Sequence, residues 1–134
     1  MSLPKLVLEA RRKGADHKEI LIKICQEIIG DLRRLENILM ETNLWKKEQR
    51  DELVRTIGSF IDDLRELKNL PSNYKSMINR SSLLIHNLTA FAQRINRTGF
   101  KNSKEAFDKF YKPYILDAFE EELEELIDQV KMLD

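Results

Sequence analysis

Residues 20–39 read ILIKICQEIIGDLRRLENIL, and the placing of their apolar side chains decides the fold. Leu21, Cys25, Ile28, Leu32, Leu35 and Leu39 step by four and three, the spacing of one face of an α-helix. Ile22 and Ile29 flank that seam and widen it beyond what a two-stranded coil needs, toward the broader stripe of a bundle core. A half-buried strand would alternate in polarity with every residue, and no stretch of this chain does so clearly.

The same pattern recurs on both sides. Upstream, Asp16 followed by Glu19 forms a capping box that starts this helix near residue 17, and residues 4–13 are predicted to form a short helix ended by Gly14. Downstream, Leu53, Ile57, Phe60, Leu64 and Leu67, flanked by Val54 and Ile61, mark a second helix that Pro71 must stop. Met77, Ser81, Leu84, Leu88, Phe91 and Ile95, flanked by Ile78, Ile85 and Ala92, mark a third, with Gly99 at the expected C-terminal cap. Ser103 is predicted to cap a short helix holding Phe107, Phe110 and Tyr111. Pro113 then opens a last helix with the seam Leu116, Phe119, Leu123, Leu126, Val130 and Leu133.

The sequence therefore predicts an all-α fold, an up-and-down antiparallel four-helix bundle with a short N-terminal helical extension. The long helices are expected at about 17–41, 45–69, 73–97 and 113–133 and the short one at about 103–111, in one domain over residues 1–134. Each buried side chain on these seams contributes about 1.5 to 3 kcal/mol of transfer energy, so the seams dominate stability.

Composition narrows the function. Twenty-three basic and 23 acidic residues cancel, leaving no global field to gather nucleic acid or an anionic membrane, and nucleic-acid binding is not expected. Cys25 is the only cysteine, which excludes an internal disulfide and a multi-cysteine metal site, and its seam position reads as a small buried hydrophobe. No apolar run approaches a membrane span and no signal-peptide hydrophobic region opens the chain, so a cytoplasmic location is expected, without membrane insertion. Met1-Ser2-Leu3 has the look of an appended leader, which would make the chain a domain cut from something longer. Asn79, Asn87 and Asn96 each begin an N-glycosylation-like triplet, read here as polar helix surface.

Few residues suggest chemistry. His17 lies far in sequence from any second ligand, no metal-binding spacing is present, and no cofactor is expected. Glu120, Glu121, Glu122, Glu124, Glu125 and Asp128 line the solvent face of the last helix. Between residues 94 and 112 basic side chains surround Phe100, Phe107, Phe110 and Tyr111, aromatics expected to tuck under the end of the bundle. Trp45, in the turn between the first two long helices, is expected to cap that end; left exposed, it would instead anchor a partner.

His86 is the candidate that remains. At 100° per residue it falls roughly 160° from the centre of its seam and about 120° from Arg80, so it faces solvent on a strip with Leu83 and Ala90. His86-Asn87-Leu88-Thr89-Ala90 resembles the His-x-Leu-Lys-Gly pattern of histidine phosphotransfer domains, with Thr89 in place of the lysine and Ala90 in place of the glycine. That resemblance implies an exposed phospho-accepting histidine on a four-helix bundle. Arg80 and His86 also resemble the Arg-x4-6-His motif of HEPN ribonucleases and their toxin relatives. There a dimer cleft would pair an arginine that holds phosphate with a histidine that moves a proton. The polar residue that usually follows that arginine is here Ser81, on the core seam. The residues by themselves read as solvated helix surface.

The expected function is a protein-interaction or regulatory module without catalytic chemistry, docking a protein partner or a second copy through Leu83, Ala90 or Trp45. A His86-dependent activity with Arg80, or a sensory bundle excised from a receptor, are the alternatives.

Overall fold

The computed structural model describes residues 2–133, so Met1 of the opening triplet lies outside it. All of its regular structure is helical, and no strand occurs among the described residues. Helix α1 spans Leu3–Ala10, α2 His17–Glu41, α3 Lys47–Arg65 and α4 Lys75–Asn96. Short 310 turns, Glu66–Asn69 and Ser72–Tyr74, carry the chain past Pro71 from α3 to α4. Helix α5, Ser103–Ala106, then runs without a break through a π-helical segment, Phe107–Leu116, into α6, Asp117–Lys131.

The helix ends follow from local chemistry. The Asp16 carboxylate accepts from the backbone N–H groups of Lys18 and Glu19, capping α2 as expected, while the Glu19 carboxylate turns to Lys23 at 3.0 Å. Gly14 turns the chain after α1 with φ +83°, a conformation glycine takes without strain. At the end of α4 the left-handed residue is Thr98, φ 55°, not the expected Gly99. Gly99 is required for a different reason. A Cβ on it would lie 2.6 Å from Cγ of Arg94 and 3.0 Å from its carbonyl oxygen, which accepts the Gly99 N–H at 2.9 Å. Asn102, rather than Ser103, caps α5, its side chain accepting from the Glu105 N–H at 2.9 Å.

The largest departure from expectation lies at Pro113. It was expected to open a separate final helix; instead it sits inside a continuous helical run from Ser103 to Lys131. In an α-helix the proline ring meets the carbonyl four residues back and removes one hydrogen bond. Widening the turn to i→i+5 bonding relieves that crowding without ending the helix. The wider turn also resets the buried positions, which step five and then four residues from Ala106 to Tyr111 to Ile115.

Packing brings α3 along α4 and α2 along α6, while α1 lies against α2 and the 310 turn that follows α3. Buried side chains from Leu3 to Ile127 form one connected core. All of the predicted α3 and α4 seam residues are buried. In α2 the stripe is rotated at its start, so Ile20 and Ile24 are buried and Leu21 is half-buried; α1 packs there and widens the face that must be covered. In α6 the shifted register buries Ile115 and Ile127, leaves Leu116 and Leu126 half-buried, and leaves Leu133 69% exposed beyond the helix end.

Tyr111, fully buried in the π segment, donates its hydroxyl to the Leu32 carbonyl of α2 at 2.5 Å, joining two helices through the core. Replacing Tyr111 with Phe should lower unfolding free energy by about 1 kcal/mol, the usual net worth of one such bond, in urea titration. No change in the urea midpoint would mean that the bond contributes nothing.

Candidate functional site

Arg80 and His86 both lie on α4, and the fold does not bring them together within the chain. Arg80 is half-buried and its guanidinium donates across the seam to the carbonyl oxygen of Glu122 on α6 at 3.3 Å. His86 is exposed. Ser81 between them is buried, its hydroxyl turned to the Ile78 carbonyl at 2.8 Å. Where the phosphotransfer pattern has a lysine, the Thr89 hydroxyl donates to the Ile85 carbonyl at 2.7 Å, so a neutral group turned onto its own helix replaces a cation. Ala90, the position of that pattern's glycine, is half-buried.

One turn of α4 joins the π segment directly. The Asn87 amide donates to the Tyr114 carbonyl oxygen at 2.9 Å, holding the two helices in register. Leu83, four residues before Asn87 and therefore above it on the same face, is 57% exposed, and Tyr114 is 55% exposed. Exposed Ala118 follows Tyr114 one turn on. The result is an apolar strip along the boundary between α4 and the last helical run.

The strip has a firm backing. Tyr114 lies 5.2 Å, centroid to centroid, from Phe110, which stacks on Phe91 at 5.3 Å; Phe100 and Tyr111 complete the cluster. The Arg94 guanidinium sits 4.5 Å from the centre of the Phe100 ring. As expected of the basic and aromatic stretch, Phe100 and Tyr111 are buried and Phe107 and Phe110 half-buried; Tyr114 alone among these rings faces outward.

Trp45 does not cap the helical core: it is 74% exposed. Leu44 takes the buried place instead, with its carbonyl bonded by Arg50 at 3.0 Å, and the tight turn closed by the Trp45 N–H on Asn43 Oδ1 directs the indole away.

Two features went unread in the sequence. Tyr74, buried, places its hydroxyl 2.7 Å from Nδ1 of His17 and 3.3 Å from the His17 carbonyl oxygen, tying the start of α4 to the start of α2. Burial pushes the Tyr74 phenol up to about 12. Between α2 and α3 a groove of about 160 Å³ is lined by Asp31, Arg34, Thr56, Ser59 and Asp63 over Leu35, Ile38 and Phe60. Desolvation raises the carboxyl of Asp31 above its ordinary value, against an ion pair with Arg34 that lowers it. Desolvation also raises Asp63, reinforced by the negative charges of Asp31, Asp62 and Glu66. The signal in the sequence was slight: each acid directly precedes a core leucine, Leu32 and Leu64, and so sits at the edge of a buried stripe. Among the described residues no group of three or more His, Cys, Asp or Glu side chains is placed to hold a metal ion, and no helix is long and apolar enough to cross a membrane.

The carboxyl shifts have a definite sign. Folded Asp63 ionises at higher pH than the unfolded group, so its contribution to stability is present below the ordinary 3.8 and is lost as pH rises through its folded value. Asp63→Asn should therefore raise the melting temperature at neutral pH, with the gain shrinking as pH is lowered to about 4. A gain independent of pH, measured by thermal melts, would contradict this origin.

Comparison of the chain with protein-family models, curated proteins and solved structures found no match in any of the three.

Proposed function

We propose that the chain is a protein-interaction module whose docking face is the strip formed by Leu83, Tyr114 and Ala118. We further infer that its scaffold is an up-and-down antiparallel four-helix bundle with α1 as an N-terminal extension. The cross-links support that topology. Arg80 reaches Glu122 while Asn87, later in α4, reaches Tyr114, earlier in the last helix, as antiparallel neighbours require. Lys18 reaches the Leu133 carbonyl and Arg33 reaches Glu120 and Glu124, the same descending order for α2. Short connections between consecutive helices are consistent with the remaining directions.

The observation that carries the reading is the pairing of Leu83 and Tyr114. Two large apolar side chains, each more than half exposed, stand on different helices that Asn87 locks together. An apolar surface held on rigid elements is suited to a partner, because little ordering remains to be done on docking. His86, one turn from Leu83 on the exposed side, borders the strip and would contribute a polar rim. The engagement of Arg80 with the Glu122 carbonyl favours this reading over an Arg80–His86 phosphate site. The single, buried cysteine supports a reducing compartment such as the cytoplasm.

Leu83→Glu places a charge in the strip without touching the core. It should abolish association with protein partners in affinity capture while changing folding stability by no more than about 0.5 kcal/mol. A Leu83→Glu protein that keeps every partner of the parent chain would remove this face from consideration.

A further inference from the structure

We propose that the strip docks a second copy of this chain, with the Ser103–Lys131 helical runs of the two copies crossing antiparallel about a two-fold axis near Tyr114. The proposal rests on the reading of the strip as a docking face and identifies what covers it.

The charge pattern of that run supplies the argument. Before Tyr114, Lys104 is exposed, as is Lys101 in the bend just ahead of the run, and after it Glu121, Glu125 and Asp128 are exposed. None of these five forms an ion pair among the described residues. Nearer the middle, Lys112 pairs with Asp117 at 2.9 Å and Lys109 with Glu105 at 3.7 Å, and of the exposed acids there only Asp108 has no ion pair among the described residues. The surface therefore has a largely paired centre, where Tyr114 and Ala118 are exposed, between an unpaired basic end and an unpaired acidic end. That is a self-complementary pattern once one copy is turned end for end.

The spacing agrees with a two-fold axis. Lys104 precedes Tyr114 by ten residues and Glu125 follows Ile115 by ten. An axis between Tyr114 and Ile115 thus sets Lys104 against the partner's Glu125, with Lys101, in the bend before the run, at the basic end that meets the partner's acidic end. In an isologous interface this pairing occurs twice. In the same register Asp108 falls opposite Glu121, and Glu105 opposite Glu124, although those last two are already engaged by Lys109 and Arg33 within the chain. A parallel docking would stack basic on basic and acidic on acidic, which charge repulsion disfavours. Net charge is zero, so no long-range repulsion between copies opposes their approach. Leu83, on the neighbouring helix, extends the apolar centre sideways and gives the crossing more than one helix of contact from each copy.

Sedimentation of the full chain at protein concentrations from about 10 to 500 µM tests this. A dimer is expected at low ionic strength, and its dissociation constant should rise at least about tenfold in roughly 1 M salt, where screening shortens to a few ångströms. Lys104→Glu and Glu125→Lys should each weaken the dimer about fivefold or more, and the double exchange Lys104→Glu with Glu125→Lys should restore it, because the two positions face each other across copies. Tyr114→Asp should give a folded monomer, its circular-dichroism spectrum that of the parent chain and its melting temperature no longer dependent on protein concentration. A chain monomeric at the highest concentration in low salt overturns the proposal. So does a dimer that the double exchange fails to restore, or one indifferent to Tyr114→Asp. A monomeric chain whose partner capture is still lost in Leu83→Glu would refute the second copy alone and leave the interaction reading standing.

Discussion

Proline cannot donate to a helix and its ring crowds the carbonyl one turn back. At Pro113 this constraint is met by widening the helix rather than breaking it, and much of the molecule depends on that choice. The i→i+5 register delivers Tyr111 to the core, where its hydroxyl reaches α2 at Leu32. It holds Phe110 against Phe91 and turns Tyr114 outward with its carbonyl available to Asn87. A helix broken at Pro113, as the sequence alone suggests, would have separated the aromatic cluster from the acidic helix that follows. The continuous run instead makes one long surface with a basic start, an apolar centre and an acidic end.

Stability and display are divided between the two sides of α4. Its inward face, from Met77 to Ile95, is closed by the α3 contact and by the aromatic cluster. Its outward face carries Leu83 and His86 and is fixed by two polar contacts that reach backbone carbonyls, Arg80 to Glu122 and Asn87 to Tyr114. Backbone acceptors do not depend on which side chain stands opposite, so this boundary can change its surface residues without losing register. Such an arrangement is what a docking face on a stable scaffold needs.

Most of the fold was legible because helical periodicity in burial is a direct record of which face is covered. The seams of α3 and α4 could be read residue by residue, and the capping by Asp16 followed from side-chain chemistry alone. What escaped depends on relations between helices. The rotation of the α2 stripe toward Ile20 and Ile24 comes from α1 packing on it, and the burial of Ile115 and Ile127 comes from the wider turn at Pro113. Neither is encoded in a local repeat. The candidate surface was half visible: Leu83 and His86 were placed outward by phase. Tyr114 belongs to no motif, and its outward position follows from the π segment rather than from any apolar spacing. The expected cap at Trp45 falls instead to its neighbour Leu44, because the turn closed on Asn43 turns the indole outward, a detail no apolar spacing encodes.

Cys25 stands fully buried on α2, and burial raises its thiol to about 12, so it is held as the unreactive neutral form. The chain thus carries one silent nucleophile at its centre. Modification of that sulfur requires the helices around it to part, which makes the rate at which a thiol reagent consumes it a clock for opening of the helical core around α2 rather than a measure of local acidity.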